Sequence, residues 1–170
     1  MNYNEKSVRD LRQILLSATV ENKTKREHIA NYYSNLGQSK RFKEIEASFE
    51  RQEALYEILN LLNKAKKNKE LNNPNIPNMV ENYFFEMNFV IHEMARTLAH
   101  NGWVVMVNDN VQYHGEEVPV DLILSNFAEM AGLSVESIWV LSRGKGNSSQ
   151  QMGEHGRQEL RKCVYVWRKA

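Results

Sequence analysis

The residues best suited to contact a polyanion are concentrated between Ser142 and Arg157, in the run SRGKGNSSQQMGEHGR. Gly144, Gly146, Gly153 and Gly156 let a backbone approach a ligand closely. Asn147, Ser148, Ser149, Gln150 and Gln151 offer hydrogen bonds to phosphate oxygens or base edges. From residue 143 onward Arg143, Lys145, Arg157, Arg161, Lys162, Arg168 and Lys169 outnumber Glu154 and Glu159, in a chain whose formal net charge is only +1. Basic clustering within a neutral chain is the pattern of a phosphate-contacting loop. The same composition also suits a solvated hairpin loop.

Other chemically capable residues carry less. His92-Glu93 begins like a zinc-protease helix motif, but residue 96 is arginine where the second ligand belongs. Cys163 has no cysteine partner and reads as a buried structural thiol. Asp109 follows a strand, where α/β folds place functional groups, although from position alone the turn residue is the leading reading. Asp121 falls in the first turn of a helix, where a carboxylate favours the dipole. Trp139 and Trp167 fall on strands and are expected in the core, while Tyr113 is a candidate for stacking against a base. Lys64, Lys66, Lys67 and Lys69 read as a solvated helix end, with contact to a nucleic-acid backbone as the minority reading.

The elements that must position these groups change character near Pro74. Before it the spacing of Val8, Leu11, Ile14 and Leu15 predicts a helix over 7–16. After a polar stretch over 21–26, Phe42, Ile45, Phe49, Leu55, Ile58, Leu59 and Leu62 predict one long helix over 40–69. Beyond the break at 72–77, Val80, Phe84, Met87, Val90, Ile91, Met94 and Leu98 mark one face of a helix over 78–100. Asn101-Gly102 ends it in a left-handed cap. WVVMV (103–107) then reads as a strand buried on both faces, as in a parallel sheet covered by helices.

A loop holding Gly115 follows, then a helix from Pro119 to about Ala131 stopped by Gly132. SIWVL (137–141) and VYVW (164–167) are the remaining strands. This order makes half of a doubly wound α/β fold, with the apolar strand 103–107 at an edge that something must cover.

Length and composition set the outer bounds. The chain has 170 residues, enough for one core. No apolar run reaches the roughly 18–20 residues of a membrane span. The N-terminus lacks the apolar stretch of a signal peptide, and a single cysteine fits a reducing compartment. These features point to a cytoplasmic protein without a membrane partner.

Beyond such bounds, several segments resemble the C-terminal part of site-specific DNA methyltransferases of the amino-methylating kind. They are YFFEM (83–87), NGWVVMVNDN (101–110), VPVDLIL (118–124), IWVL (138–141), GKGNSSQQM (144–152) and HGRQELRKCVYVW (155–167). LRQILLSATVENKTK (11–25) is similar to the family's helical insertion. The resemblance implies the C-terminal half of a Rossmann-like fold, strands five to seven, over residues 77–170. Residues 1–76 would be the helical insertion. It implies S-adenosylmethionine as methyl donor, DNA as substrate, and an exocyclic base amine as acceptor, cytosine N4 ahead of adenine N6. The segment Arg143–Gly156 would face DNA and the target base, with Asn108 and Asp109 near the same cleft and Arg157 beside it.

The chain also departs from the family. No glycine-rich cofactor loop follows a first strand, and with prolines only at 74, 77 and 119 there is no catalytic Pro-Pro-Tyr segment. An exocyclic amine is a weak nucleophile because its lone pair is delocalised into the ring. The family's tetrapeptide accepts hydrogen bonds from that amine and aligns the flipped base. The expectation is therefore a chain without catalytic or cofactor-binding residues of its own. It would be completed by a separate polypeptide, or associate with itself through the open sheet edge. The alternatives are a truncated, inactive remnant and a non-catalytic DNA-binding or regulatory module.

Overall fold

A computed structural model describes residues 16–20, 22–141 and 160–170. The element order is α1 (Arg26–Asn35), α2 (Ser39–Glu50), α3 (Glu53–Lys67), α4 (Ile76–Thr97), β1 (Trp103–Asp109), β2 (Val111–Tyr113), β3 (Glu116–Val118), α5 (Val120–Met130), β4 (Leu133–Leu141) and β5 (Lys162–Lys169). The helix expected over 7–16 falls almost wholly outside the described residues.

The long helix expected over 40–69 is two helices that break at Arg51 and Gln52. No glycine or proline forces the break. Gln52 takes a non-helical ψ of 84° and is buried, its Nε2 donating to Asn126 Oδ1 at 2.8 Å. A tertiary hydrogen bond outweighs local propensity here. Helix α1 was not expected, because within REHIANYYSN only Tyr33 is buried and the apolar pattern is faint.

Helix α4 begins at Ile76 and ends at Thr97, earlier at both ends than its spacing suggested. Its burial is not confined to one face. Phe85, Glu86, Asn88 and Phe89 are buried along with Val80, Phe84, Met87 and Ile91, while Val90 is exposed. The reason is that α2, α3 and α5 all pack against it. Two of the polar groups enclosed by that packing, Asn88 and Glu86, have partners on neighbouring segments. Asn88 Nδ2 donates to Ile45 O at 2.8 Å, and Glu86 accepts from Ser17 and from Lys25, the latter at 3.1 Å. Phe49 joins the layers, edge-on to Phe85 with ring centroids 5.3 Å apart and stacked on Phe127 of α5 at 6.3 Å.

The main sheet has the order β1-β5-β4, with β5 antiparallel to both neighbours. Cys163, Tyr165 and Trp167 of β5 are fully buried on the helical side, where Trp167 Nε1 donates to Ser125 Oγ at 3.2 Å. On the opposite face Trp103, Val105, Val107 and Trp139 are 52%, 64%, 56% and 59% exposed.

Two expectations are corrected by that geometry. Strand β1 alternates between half-buried and exposed rather than being buried on both faces, and Trp139 is a surface residue. Both follow from helices covering only one side of the sheet among the described residues. Trp167 is in the core, as expected, and β1 is an edge strand of this sheet.

The left-handed residue near the end of α4 is Asn101, at φ 60°, but it belongs to the turn into β1, since Leu98 is already extended. Gly102 is required for space: a Cβ there would lie 2.7 Å from Leu98 Cγ. The loop expected around Gly115 contains a hairpin, β2 with β3. His114 and Gly115 take φ 53° and 80°, as a two-residue primed turn requires. Gly132 stops α5 at φ 87°.

Phe49→Ala removes the ring shared between layers and should destabilise the chain by about 3–5 kcal/mol. Urea unfolding with an unchanged m-value would measure this, and a loss below about 1 kcal/mol would show that the bridge is dispensable. A second expectation concerns pH. Burial, aided by the Arg41 guanidinium and opposed by Glu93, holds His92 down at about 4. An unfolded histidine titrates near 6.5, so the unfolded chain binds more protons between those values. The contribution is fully present above about pH 6.5 and is lost as pH falls toward 4. Urea midpoints should decline across that window, and His92→Gln should flatten the decline.

Candidate functional site

The end of the sheet where β1 stops is also where β4 stops and β5 begins. Lys162, the first residue of β5, pairs with Asp109 on one side and Leu141 on the other. Asn108 and Asp109 therefore stand at the end from which the chain leaves β4 and to which it returns at β5. Lys162 Nζ lies 3.7 Å from Asp109 Oδ1, and both side chains are substantially exposed.

Asn108 is held in one orientation. Its Nδ2 donates to Tyr83 Oη at 2.6 Å, and its Oδ1 accepts from the Asp109 amide at 2.9 Å. These two residues border a cavity of about 170 Å³ whose walls include Met79, Tyr83, Phe84 and Tyr113. Burial pushes the Tyr113 hydroxyl up to about 12, with the nearby Tyr83 adding to the effect. Burial likewise raises Tyr83, against the donation from Asn108. Both phenols are neutral at physiological pH, so the cavity offers ring faces and hydroxyl groups rather than charge.

Asn110 fixes the surroundings of this cavity. It is buried, with its amide donating to Arg161 O at 2.8 Å and its Nδ2 to Glu117 Oε1 at 2.9 Å. Its Oδ1 accepts from the Asp121 amide at 3.1 Å, so one side chain ties the end of β1 to the hairpin and to the first turn of α5. Asp121 is wholly buried beside Arg161 Nη2 at 3.2 Å and accepts from Cys163 Sγ at 3.5 Å. The carboxylate at the helix N-terminus thus also anchors the entry to β5.

Of the residues singled out in the sequence, Asn108, Asp109 and Tyr113 come together at this cavity. Arg143, Lys145, Asn147, Ser148, Ser149, Gln150, Gln151 and Arg157 lie outside the described residues. Tyr83, Asn110 and the hairpin were missed. Tyr83 had no local signal, being one aromatic among several on a helix, while Asn110 sat in plain view directly after Asn108-Asp109. His92 Nε2 lies 3.1 Å from Ser48 Oγ within the helical layer. Among the described residues no group of three or more His, Cys, Asp or Glu side chains could hold a metal ion. No helix among them is long and apolar enough to cross a membrane. Lys64, Lys67 and Lys69 are exposed at the end of α3.

Comparison with known proteins finds relatives of the whole chain. The chain is homologous to type II methyltransferases and matches the C-terminal third of them. In particular it is 50% identical over 165 residues to the type II methyltransferase M.AvaI of a Nostoc species, covering 97% of this chain and 32% of that protein. The figures for M.AvaI of Anabaena variabilis are the same. M.BsoBI of Geobacillus stearothermophilus is 44% identical over 169 residues, covering 99% of this chain and 33% of its own length. The chain thus spans about a third of the relatives it matches. No family model matches it, and no solved structure does.

Burial, with Asp121 close by, pushes the Cys163 thiol up to about 11, and the residue is fully enclosed. At pH 8 it should stay unreactive toward a disulfide reagent until urea unfolds the chain. Rapid labelling of folded protein would contradict the buried, proton-retaining thiol.

Proposed function

We propose that this chain supplies the C-terminal third of a DNA methyltransferase, the part that meets the target base, and that methyl transfer requires the remaining two thirds. The carrying observation is the sheet face of Trp103, Val105, Val107 and Trp139 beside the open edge of β1. Exposed apolar surface of this kind marks an interface. Relatives three times as long have ample chain to cover it.

On this reading β1, β4 and β5 are strands five, six and seven of a Rossmann-like methyltransferase sheet. The reversed central strand β5 supports that numbering, because it leaves β1 and β4 parallel to each other. Residues 77–170 are the second half of that fold, and 1–76 are its helical insertion. The edge of β1 receives a fourth strand, whether from a longer version of this chain or from a separate polypeptide. Without that strand the same surface is available for self-association. The assembled protein works in the cytoplasm.

S-adenosylmethionine supplies an electrophilic methyl group when bound. The described residues do not fit it. The 170 Å³ cavity is smaller than the roughly 300–1,000 Å³ that ligands of that size occupy, and among the described residues no glycine-rich turn borders it. We therefore assign this chain no cofactor contact. Its own task is on the DNA side. A cavity walled by Tyr83, Phe84 and Tyr113 suits one flipped heterocycle stacked on aromatic rings. Asn108, fixed by Tyr83, presents a carboxamide to the edge of that base. Arg143, Lys145, Asn147, Ser148, Ser149, Gln150, Gln151 and Arg157 belong to the segment joining Leu141 to β5, and contact the DNA around the flipped base. The acceptor is an exocyclic amine, cytosine N4 ahead of adenine N6.

The test is transfer of labelled methyl from S-adenosylmethionine to mixed-sequence DNA. It is run with this chain alone and with a polypeptide carrying the segments that correspond to the first two thirds of the relatives. Transfer is expected only in the mixture, with Asn108→Ala reducing it about tenfold through loss of one positioning hydrogen bond. Transfer by this chain alone would overturn the division of labour. Silence in a well-folded mixture would leave an inactive remnant or a DNA-binding module as the better reading.

A further inference from the structure

A second groove lies away from the sheet, between residues 22–26 and the first turns of α4. Its volume is about 720 Å³, and its walls include Lys23, Thr24, Arg26, Asn75, Asn78 and Asn82. Asn82 is the informative residue. It is only 9% exposed, it faces the groove, and its side chain has no hydrogen-bond partner among the described residues. The rest of the residue is enclosed while its carboxamide opens on the groove, so its donor and acceptor are fixed in place and left for whatever occupies that space.

The surrounding groups define that ligand. At the start of α4 the Ile76 amide donates to Asn73 O at 3.3 Å and the Met79 amide to Asn75 O at 3.0 Å. Pro77 has no amide hydrogen, and the Asn78 amide is left without a carbonyl acceptor among the described residues. It points out of a helix of 22 residues, where the dipole favours negative charge. Lys23 is exposed at the rim and makes no ion pair among the described residues. Arg26 is held rigidly on the inner wall. Its Nη2 meets Glu81 at 2.9 Å, and its guanidinium lies over Phe85 at 4.2 Å from the ring centroid. Lys23, Thr24, Asn78 and Asn82 thus line one open space, together with the Glu81 carboxylate that Arg26 engages.

We propose that this groove seats a backbone phosphate of the DNA, gripped by Asn82, the Asn78 amide and Lys23. This rests on the reading of the chain as part of a DNA methyltransferase, and it gives the helical region a share in holding the duplex. The contact is to phosphate, so it adds affinity and register without sequence preference.

The test is fluorescence anisotropy of a short mixed-sequence duplex against this chain over a series of salt concentrations. Asn82→Asp and Lys23→Gln should each weaken binding several-fold, and Lys23→Gln should reduce the salt slope by about one. Asn82→Leu serves as a folding control: it should weaken binding while leaving the thermal midpoint unchanged or higher. Lys64→Gln, at the far end of α3, should bind like the parent chain. A parent-like affinity in the Asn82 and Lys23 variants would overturn the groove while leaving the DNA reading intact. Equal losses in Lys64→Gln would reduce the effect to bulk charge and overturn it as well. Failure of the parent chain to bind duplex at low salt would sink the groove, while methyl transfer by the mixture would still decide the broader reading.

Discussion

The enclosure of α4 on nearly all sides is the constraint from which the architecture follows. A helix carrying Val80, Phe84, Phe85, Met87, Phe89 and Ile91 cannot be stable against a single neighbour, because one contact leaves half of that surface in water. It therefore needs a jacket. Helices α2 and α3 provide one side and α5, lying on the sheet, the other. The Phe49, Phe85 and Phe127 rings meet where those layers join. Buried polar groups on α4 are tolerated because each that matters to packing is answered: Glu86 by Ser17 and Lys25, Asn88 by Ile45 and Ser48. Asn82 is the exception, and it borders a groove open to solvent.

The sheet shows the opposite situation. One face is sealed by Trp167, Tyr165 and Cys163 against the helices, while the other presents tryptophans and valines to solvent. Arg168 lies over the Trp103 ring at 5.3 Å from its centroid, a partial cover that leaves the valines between uncovered. Among the described residues, then, the sheet carries a helical layer on one side and an apolar, solvent-facing surface on the other.

Much of this order was legible from residue spacing. Strands β1, β4 and β5 and helices α4 and α5 follow from apolar runs bounded by Asn101-Gly102, Pro119 and Gly132. What could not be read were features decided by distant partners. The break at Gln52 depends on Asn126, far along the chain, and α1 depends on one tyrosine finding its pocket. The hairpin was missed because β2 and β3 are three residues each, too short for periodicity, although His114-Gly115 is a fair turn signal. At the site, Asn108 and Asp109 were marked by position after a strand. Tyr83 became visible only once α4 was laid beside β1. Trp139 was misplaced because strand residues alternate between faces, and spacing says nothing about which face is covered.

The position of β5 has a consequence for how the molecule is made. Among the described residues strands β1 and β4 do not pair with each other; each pairs with β5, which leaves the ribosome after either of them. The helical layer can gather while synthesis continues, but no rung of the main sheet can close until Lys162–Lys169 has emerged. A stop codon or nuclease cut just upstream of Lys162 would not merely fray an end, as losses near a terminus usually do. It would leave two apolar strands side by side with a gap between them, open to any extended peptide nearby. Quality control of this protein therefore turns on the arrival of eight residues.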